Sequence, residues 1–130
     1  MLAFWLGGVT GAVPLGAANA EVADQVREAI QRQRVLKVTY GGFERLVEPH
    51  AVGTSIGGHR AVLVWQIEGG SKSDPPTGWR TFLVNELRQV TVTVRGFTPR
   101  PSYRREKSPL RTLEFDVFGR AQDVVPPGNE

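Results

Sequence analysis

The sequence predicts a mainly β domain of the α+β kind: one α-helix followed by a small, strongly bent antiparallel sheet that closes into a β-barrel. Three observations predict it. A single stretch of helical periodicity, Glu21–Gln33, gives way to hydrophobic alternation of period two that recurs as far as Val94. Gly-Gly pairs interrupt that alternation at Gly41-Gly42 and Gly57-Gly58. The run His59–Glu68 is apolar on both faces, as a barrel strand with an outer cover would be. Short strands joined by tight turns protect their edges best by closing on themselves.

Each element has its own signature. Residues 1–20 carry no charged side chain and end in Ala18-Asn19-Ala20. They read as a flexible apolar extension or, alternatively, as a signal peptide; the run has no Lys or Arg before it and is interrupted by Gly and Pro. In Glu21–Gln33, Val22, Val26, Ala29 and Ile30 form one apolar stripe, Asn19 stands where an N-cap would, and Glu28 and Arg32 are spaced as an i,i+4 pair. Val35–Tyr40 and Phe43–Glu48 are strands joined at Gly41-Gly42, and Pro49, with no N–H, ends the second strand or bends it. His59–Glu68 follows as a longer strand, then the polar loop GGSKSDPPTG. Trp79–Val84 and Val90–Val94 are further strands, and Leu113–Phe118 is one more.

The length of 130 residues suits one domain with one modest core. Residues 21–97 hold the helix and main strands, and 98–130 form a basic, Pro/Arg-rich C-terminal segment. The absence of cysteine excludes disulfides and thiolate metal sites. The formal charge of +3 is unevenly spread: residues 95–111 hold six basic side chains and one acidic. Such a segment suits an anionic partner such as nucleic acid, or a solvated loop.

The order of helix, RVLKVTYGGFERLVEPH, GGHRAVLVWQ, polar loop, WRTFLVNELRQV and then Phe97 with a following proline resembles a WYL domain, most of all its short stand-alone bacterial members. Tyr40, Arg45, Glu48 and Pro49 match the family's tyrosine, arginine and Glu-Pro positions. Arg80, Phe82 and Leu83 match its Arg-x-Phe-x-Leu-like segment, and Leu87 takes the aliphatic place after it. The tripeptide that names the family falls on Ala61-Val62-Leu63, of which the leucine is kept. The resemblance implies an SH3-like or Sm-like small barrel in the prokaryotic cytoplasm. It also implies a part in sensing or transcription regulation, through binding of single-stranded nucleic acid or a nucleotide.

Arg45 has three outlets within its strand: outward into water, an ion pair with an acid such as Glu48, or the lining of a concave anion site. Unpaired burial is too costly. Arg60 and Arg80 occupy strands as well, and arginines converging from adjacent strands would suit phosphate. Tyr40, Trp79 and Phe82 complete the candidate ligand set, with Phe43 and Trp65 nearby; aromatics so placed either stack on bases or fill a core. Tyr40 and Phe82 are expected mostly to pack, and Trp79, at the loop edge, to be the most exposed.

Other constellations carry no chemistry. GGSKSDPPTG lacks phosphate-loop spacing, His50 and His59 define no metal site, and no nucleophilic triad is spelled. The expectation is a non-enzymatic module without cofactor or metal, its rival a protein-interaction or assembly domain with a protein partner. The run Arg100–Arg111, with Tyr103 inside it, is either an arm that tracks phosphates or a solvated connector.

Overall fold

The structure is a computed structural model that describes residues 15–70 and 76–120, with side chains from Ala20 onward. The described residues are mainly β, with one helix and one antiparallel sheet. The helix α1 spans Leu15–Arg32. It therefore starts six residues before the expected Glu21, and Asn19 lies inside it rather than capping it. Ala17, Ala18 and Ala20 are the strongest helix formers, and their propensity carries the helix back past the expected cap. At the other end, Gln33 takes a left-handed backbone (φ 54°) and its N–H returns to the Ile30 carbonyl, which stops the helix. Residues 1–14 of the apolar extension and 71–75 of the polar loop lie outside the described residues.

The strands are β1 (Arg34–Tyr40), β2 (Phe43–Thr54), β3 (Arg60–Gly69), β4 (Gly78–Leu83), β5 (Arg88–Gly96), β6 (Thr112–Asp116) and the short β7 (Gly119–Arg120). Gly41 and Gly42, at φ 60° and 84°, make the hairpin turn between β1 and β2 that the sequence predicts. The order is β4-β3-β2-β1-β5, all antiparallel, with β6 added to β2 and β7 to β6. β4 and β5, the ends of this path, do not pair with one another, so the ladders leave the sheet open rather than closing a barrel. The 3-10 turn Val84–Glu86 joins β4 to β5 and, like β1, β2 and β5, is contacted by α1.

β2 organises the sheet. It pairs with β3 from Arg45 to Thr54 along one edge. Along the other it pairs with β1 only from Phe43 to Val47, and with β6 from Ala51 to Thr54. Pro49 does not end the strand. It sits in the gap between these two partners, beside a register shift in the β2–β3 ladder, and marks a bend. Gly53 is needed where β6 joins, because a Cβ there would collide with the Thr112 carbonyl.

Both faces of the sheet are covered. On one, Val26, Ala29 and Ile30 of α1 pack against Leu36, Val38, Val47, Val62, Val64 and Phe82. On the other, Ala51, Ala61 and Leu63 pack under Tyr103 and Leu110 of the segment after β5. This explains why β3 is apolar on both faces. Val26 is completely buried, so Val26→Asp would leave a charge without a partner, at a cost of about 3–5 kcal/mol. That approaches the whole stability of a small domain. The variant is expected to lose its cooperative melt; a midpoint near the parent's would refute this packing.

Candidate functional site

Four of the six predicted ligand residues share the helix-side face. Tyr40 and Phe82 stack with ring centroids 4.1 Å apart. The Arg45 guanidinium lies 5.2 Å from the Phe82 centroid and within 6 Å of those of Tyr40 and Phe43. Arg80 stands opposite Val64, in register with this face, and donates to the Trp79 carbonyl. Arg45 is only 8% exposed. It donates from Nε and Nη2 to the Tyr40 carbonyl, and from Nη1 to Gln66 Oε1 at 3.0 Å. Gln66 in turn donates to the Pro76 carbonyl. Arg45 is thus tied into the hairpin it belongs to, and a pair with Glu48, one of its three outlets, is not formed; another arginine holds Glu48.

Tyr40 Oη accepts the Leu83 N–H and donates to Glu86, and burial followed by the nearby Glu86 charge lifts its pKa despite that N–H. Arg60 lies apart from this cluster, in a two-pronged pair with Glu114. Trp79 is on the opposite face, half-buried, edge-on to Trp65.

Removing the Arg45 side chain strips charged donors from Gln66 and the Tyr40 carbonyl, and hydrogen bonds of this kind are worth about 1.5–3 kcal/mol. Arg45→Ala is expected to lower the urea midpoint by a loss of about that size. An unchanged midpoint would return Arg45 to the role of an exposed ligand contact.

The gap in the β2 edge holds the second constellation. Arg100 clamps Glu48 with two bonds of 2.8 and 3.2 Å, and its guanidinium sits 4.8 Å above the Trp65 ring. Its backbone N–H donates to His50 Nε2 at 3.0 Å, while His50 Nδ1 lies 2.8 Å from the Glu48 carbonyl. A carbonyl can only accept and an amide N–H can only donate. The two partners therefore require a neutral His50 with the proton on Nδ1.

His50 is fully buried, edge-on to Trp79 and beside Phe97 and Tyr103. Burial lowers its pKa below the ordinary histidine range and Arg100 adds to this, against the opposing pull of Glu48 and Asp116. The unfolded chain then takes up this proton first as the pH falls. Stability from His50 is complete above the ordinary value of about 6.5 and declines as the pH drops through the lowered folded value. Urea midpoints between neutral and mildly acidic pH should fall for the parent. They should fall less for His50→Gln, which can donate and accept at the same two places without titrating. Identical slopes would contradict the assignment.

The third constellation builds a wall over the second face. Tyr103 Oη donates to Asp116 Oδ2 at 2.6 Å, and Arg105 grips both oxygens of the same carboxylate at 2.8 and 2.6 Å. Burial works to raise the Asp116 pKa, but the bonds from Arg105 and Tyr103 and from the Phe118 N–H outweigh it and hold the group ionised. Burial and the Asp116 carboxylate push the Tyr103 phenol far above its ordinary range, and the bond to Asp116 raises Arg105. Tyr103 is thereby fixed in place, with its ring centroid 6.1 Å from that of Trp79.

Between this segment and the sheet lies a cavity of about 250 Å³. Leu63 and Trp79 face it from the strands, and Ser102, Tyr103, Arg104 and Lys107 from the segment, with Ser108 and Pro109 completing the lining. Trp79 Nε1 donates to Ser102 Oγ across it. Arg104 and Lys107 are exposed, and neither joins an ion pair among the described residues.

Trp79 is therefore the one predicted site residue that lines this cavity. The Arg100–Arg111 run is not a loose arm, since Arg100 and Arg105 anchor it, while most of its residues, Arg104 and Lys107 among them, stay exposed to solvent. The signal present in the sequence was Tyr103 set among cations, but the carboxylates that sort those cations come from β2 and β6. No protein-family model, curated protein or solved structure matches this chain.

Proposed function

We propose that this chain is a non-enzymatic sensing or regulatory module that holds an anionic ligand with a planar ring, a nucleotide or single-stranded nucleic acid, in the Trp79–Tyr103 cavity. The observation that carries the reading is a pocket with aromatic walls and two uncommitted cations at its rim. Rings stack on the aromatics and phosphate meets the cations, the combination that single-strand binders use. The cytoplasmic, WYL-like assignment, with a small bent sheet whose strand ladders stay open, belongs to the same proposal. It is supported by the helix that precedes β1, the bent antiparallel sheet and the Tyr40–Arg45–Phe82 cluster at the matched positions. Leu63, the retained leucine of the family tripeptide, lies in the cavity lining.

An anisotropy titration with a labelled single-stranded oligonucleotide at low and moderate salt tests this. The double variant Arg104→Ala/Lys107→Ala removes two charge-assisted contacts and is expected to weaken binding by roughly tenfold or more. Its melting temperature should stay near the parent's, because exposed cations contribute little to stability. Arg88→Ala, whose side chain bonds to the Asn85 and Leu87 carbonyls, is the control. Absence of salt-dependent binding to any oligonucleotide or nucleotide would remove the basis of the reading.

The assembly-domain alternative is favoured by one observation: Val94 is 94% exposed on β5, which among the described residues pairs only with β1. A concentration-dependent mass in sedimentation, abolished by Val94→Lys, would support it.

A further inference from the structure

We infer that the cavity takes a single nucleotide unit, one base with its phosphate, rather than a run of strand; the inference rests on the proposed reading of the cavity as a nucleotide or nucleic-acid site. Three observations lead to it. The first is size: about 250 Å³ lies just below the roughly 300–1,000 Å³ usual for ligand pockets, too little for a run of nucleotides. The second is shape. The cavity is bounded by the sheet on one side and by the Ser102–Pro109 segment on the other, so it is a slot between two elements and not a groove along a strand.

The third observation is the number of cations. Tracking a backbone needs a row of basic groups and a succession of stacking faces. Here Arg60 is committed to Glu114, Arg100 to Glu48 and Arg105 to Asp116. Arg104 and Lys107 remain in the lining, enough for one phosphate group. Two hydroxyls, Ser102 and Ser108, add neutral donors suited to a sugar or to ring edges. One exposed aromatic, Phe118, stands beyond the wall, 6.0 Å from the Tyr103 centroid, but does not line the cavity. A strand that left the cavity would use Phe118 as its next stacking face, whereas a single unit would not reach it.

The experiment compares a mononucleotide with a length series of labelled oligonucleotides on the full chain. For a single-unit site, the unlabelled mononucleotide displaces every oligonucleotide, and affinity per site does not rise with length. The slope of log affinity against log salt stays near the roughly −0.7 of one neutralised phosphate at all lengths. Phe118→Ala leaves binding unchanged, and Arg104→Ala and Lys107→Ala each weaken mononucleotide and oligonucleotide by the same factor. Affinity that climbs with length, a salt slope that steepens with it, or a loss on Phe118→Ala would overturn the single-unit inference while leaving the nucleic-acid reading in place. Binding of neither probe would defeat that reading, and the inference with it.

Discussion

Between Val47, where β1 ends its pairing, and Ala51, where β6 begins, one edge of β2 has no neighbouring strand among the described residues. Main-chain polar groups buried at such a gap must find partners elsewhere, and Pro49 removes one donor from the account. The partners come from two places. The Glu48 carbonyl accepts from His50 Nδ1, and the His50 carbonyl accepts the Val117 N–H. Arg100 supplies a backbone N–H to His50 and a guanidinium to Glu48. The bend that lets β2 serve three partner strands thus fixes where the chain must return after β5.

That return determines the character of the second face. A segment rich in proline and arginine has little apolar surface with which to dock. This one docks through Tyr103 and Leu110, with two ion pairs and the hydrogen bonds to His50 and Trp79 as its polar anchors. Two buried carboxylates, Glu48 and Asp116, each receive a bidentate arginine. Such pairs contribute modestly to net stability, since desolvation offsets most of the attraction, but losing either partner is costly. Their effect is to specify register: Arg100 and Arg105 cannot exchange places without leaving a buried charge. The same reasoning holds on the helix side, where Arg45 is enclosed by aromatic rings, Gln66 and a carbonyl of its own hairpin.

Period-two alternation, the glycine turn and the two-faced β3 were legible because each is a local signal with a single geometric meaning. The extra turns of α1 were not, since Asn19 looks like a cap unless the alanines before it are weighed as helix formers. The sorting of the arginines was illegible for a different reason. Arg45, Arg60, Arg100, Arg104 and Arg105 are chemically identical in one dimension. What separates structural from available guanidinium groups is a set of long-range partners: Gln66 for Arg45, Glu114 for Arg60, Glu48 for Arg100 and Asp116 for Arg105. The open sheet was also beyond reach, because strand count and turn length do not say whether the first and last ladders meet.

The cavity inherits its properties from this division. One wall is formed by β3 and β4 of the sheet, and the other is a segment held by two ion-paired carboxylates and a neutral histidine. A ligand that bridges Trp79 to Arg104 and Lys107 contacts both walls at once. It can do so only while the segment is docked, so its binding energy adds to that of docking by mass action. Whatever lowers the docked population, protonation of His50 included, must lower the apparent affinity of such a ligand in proportion to that population. Whatever binds there must in return hold Tyr103 and Arg100 more firmly against the sheet. A binding signal could therefore be carried along the ordering of this one segment, without any rearrangement of the strands that support it.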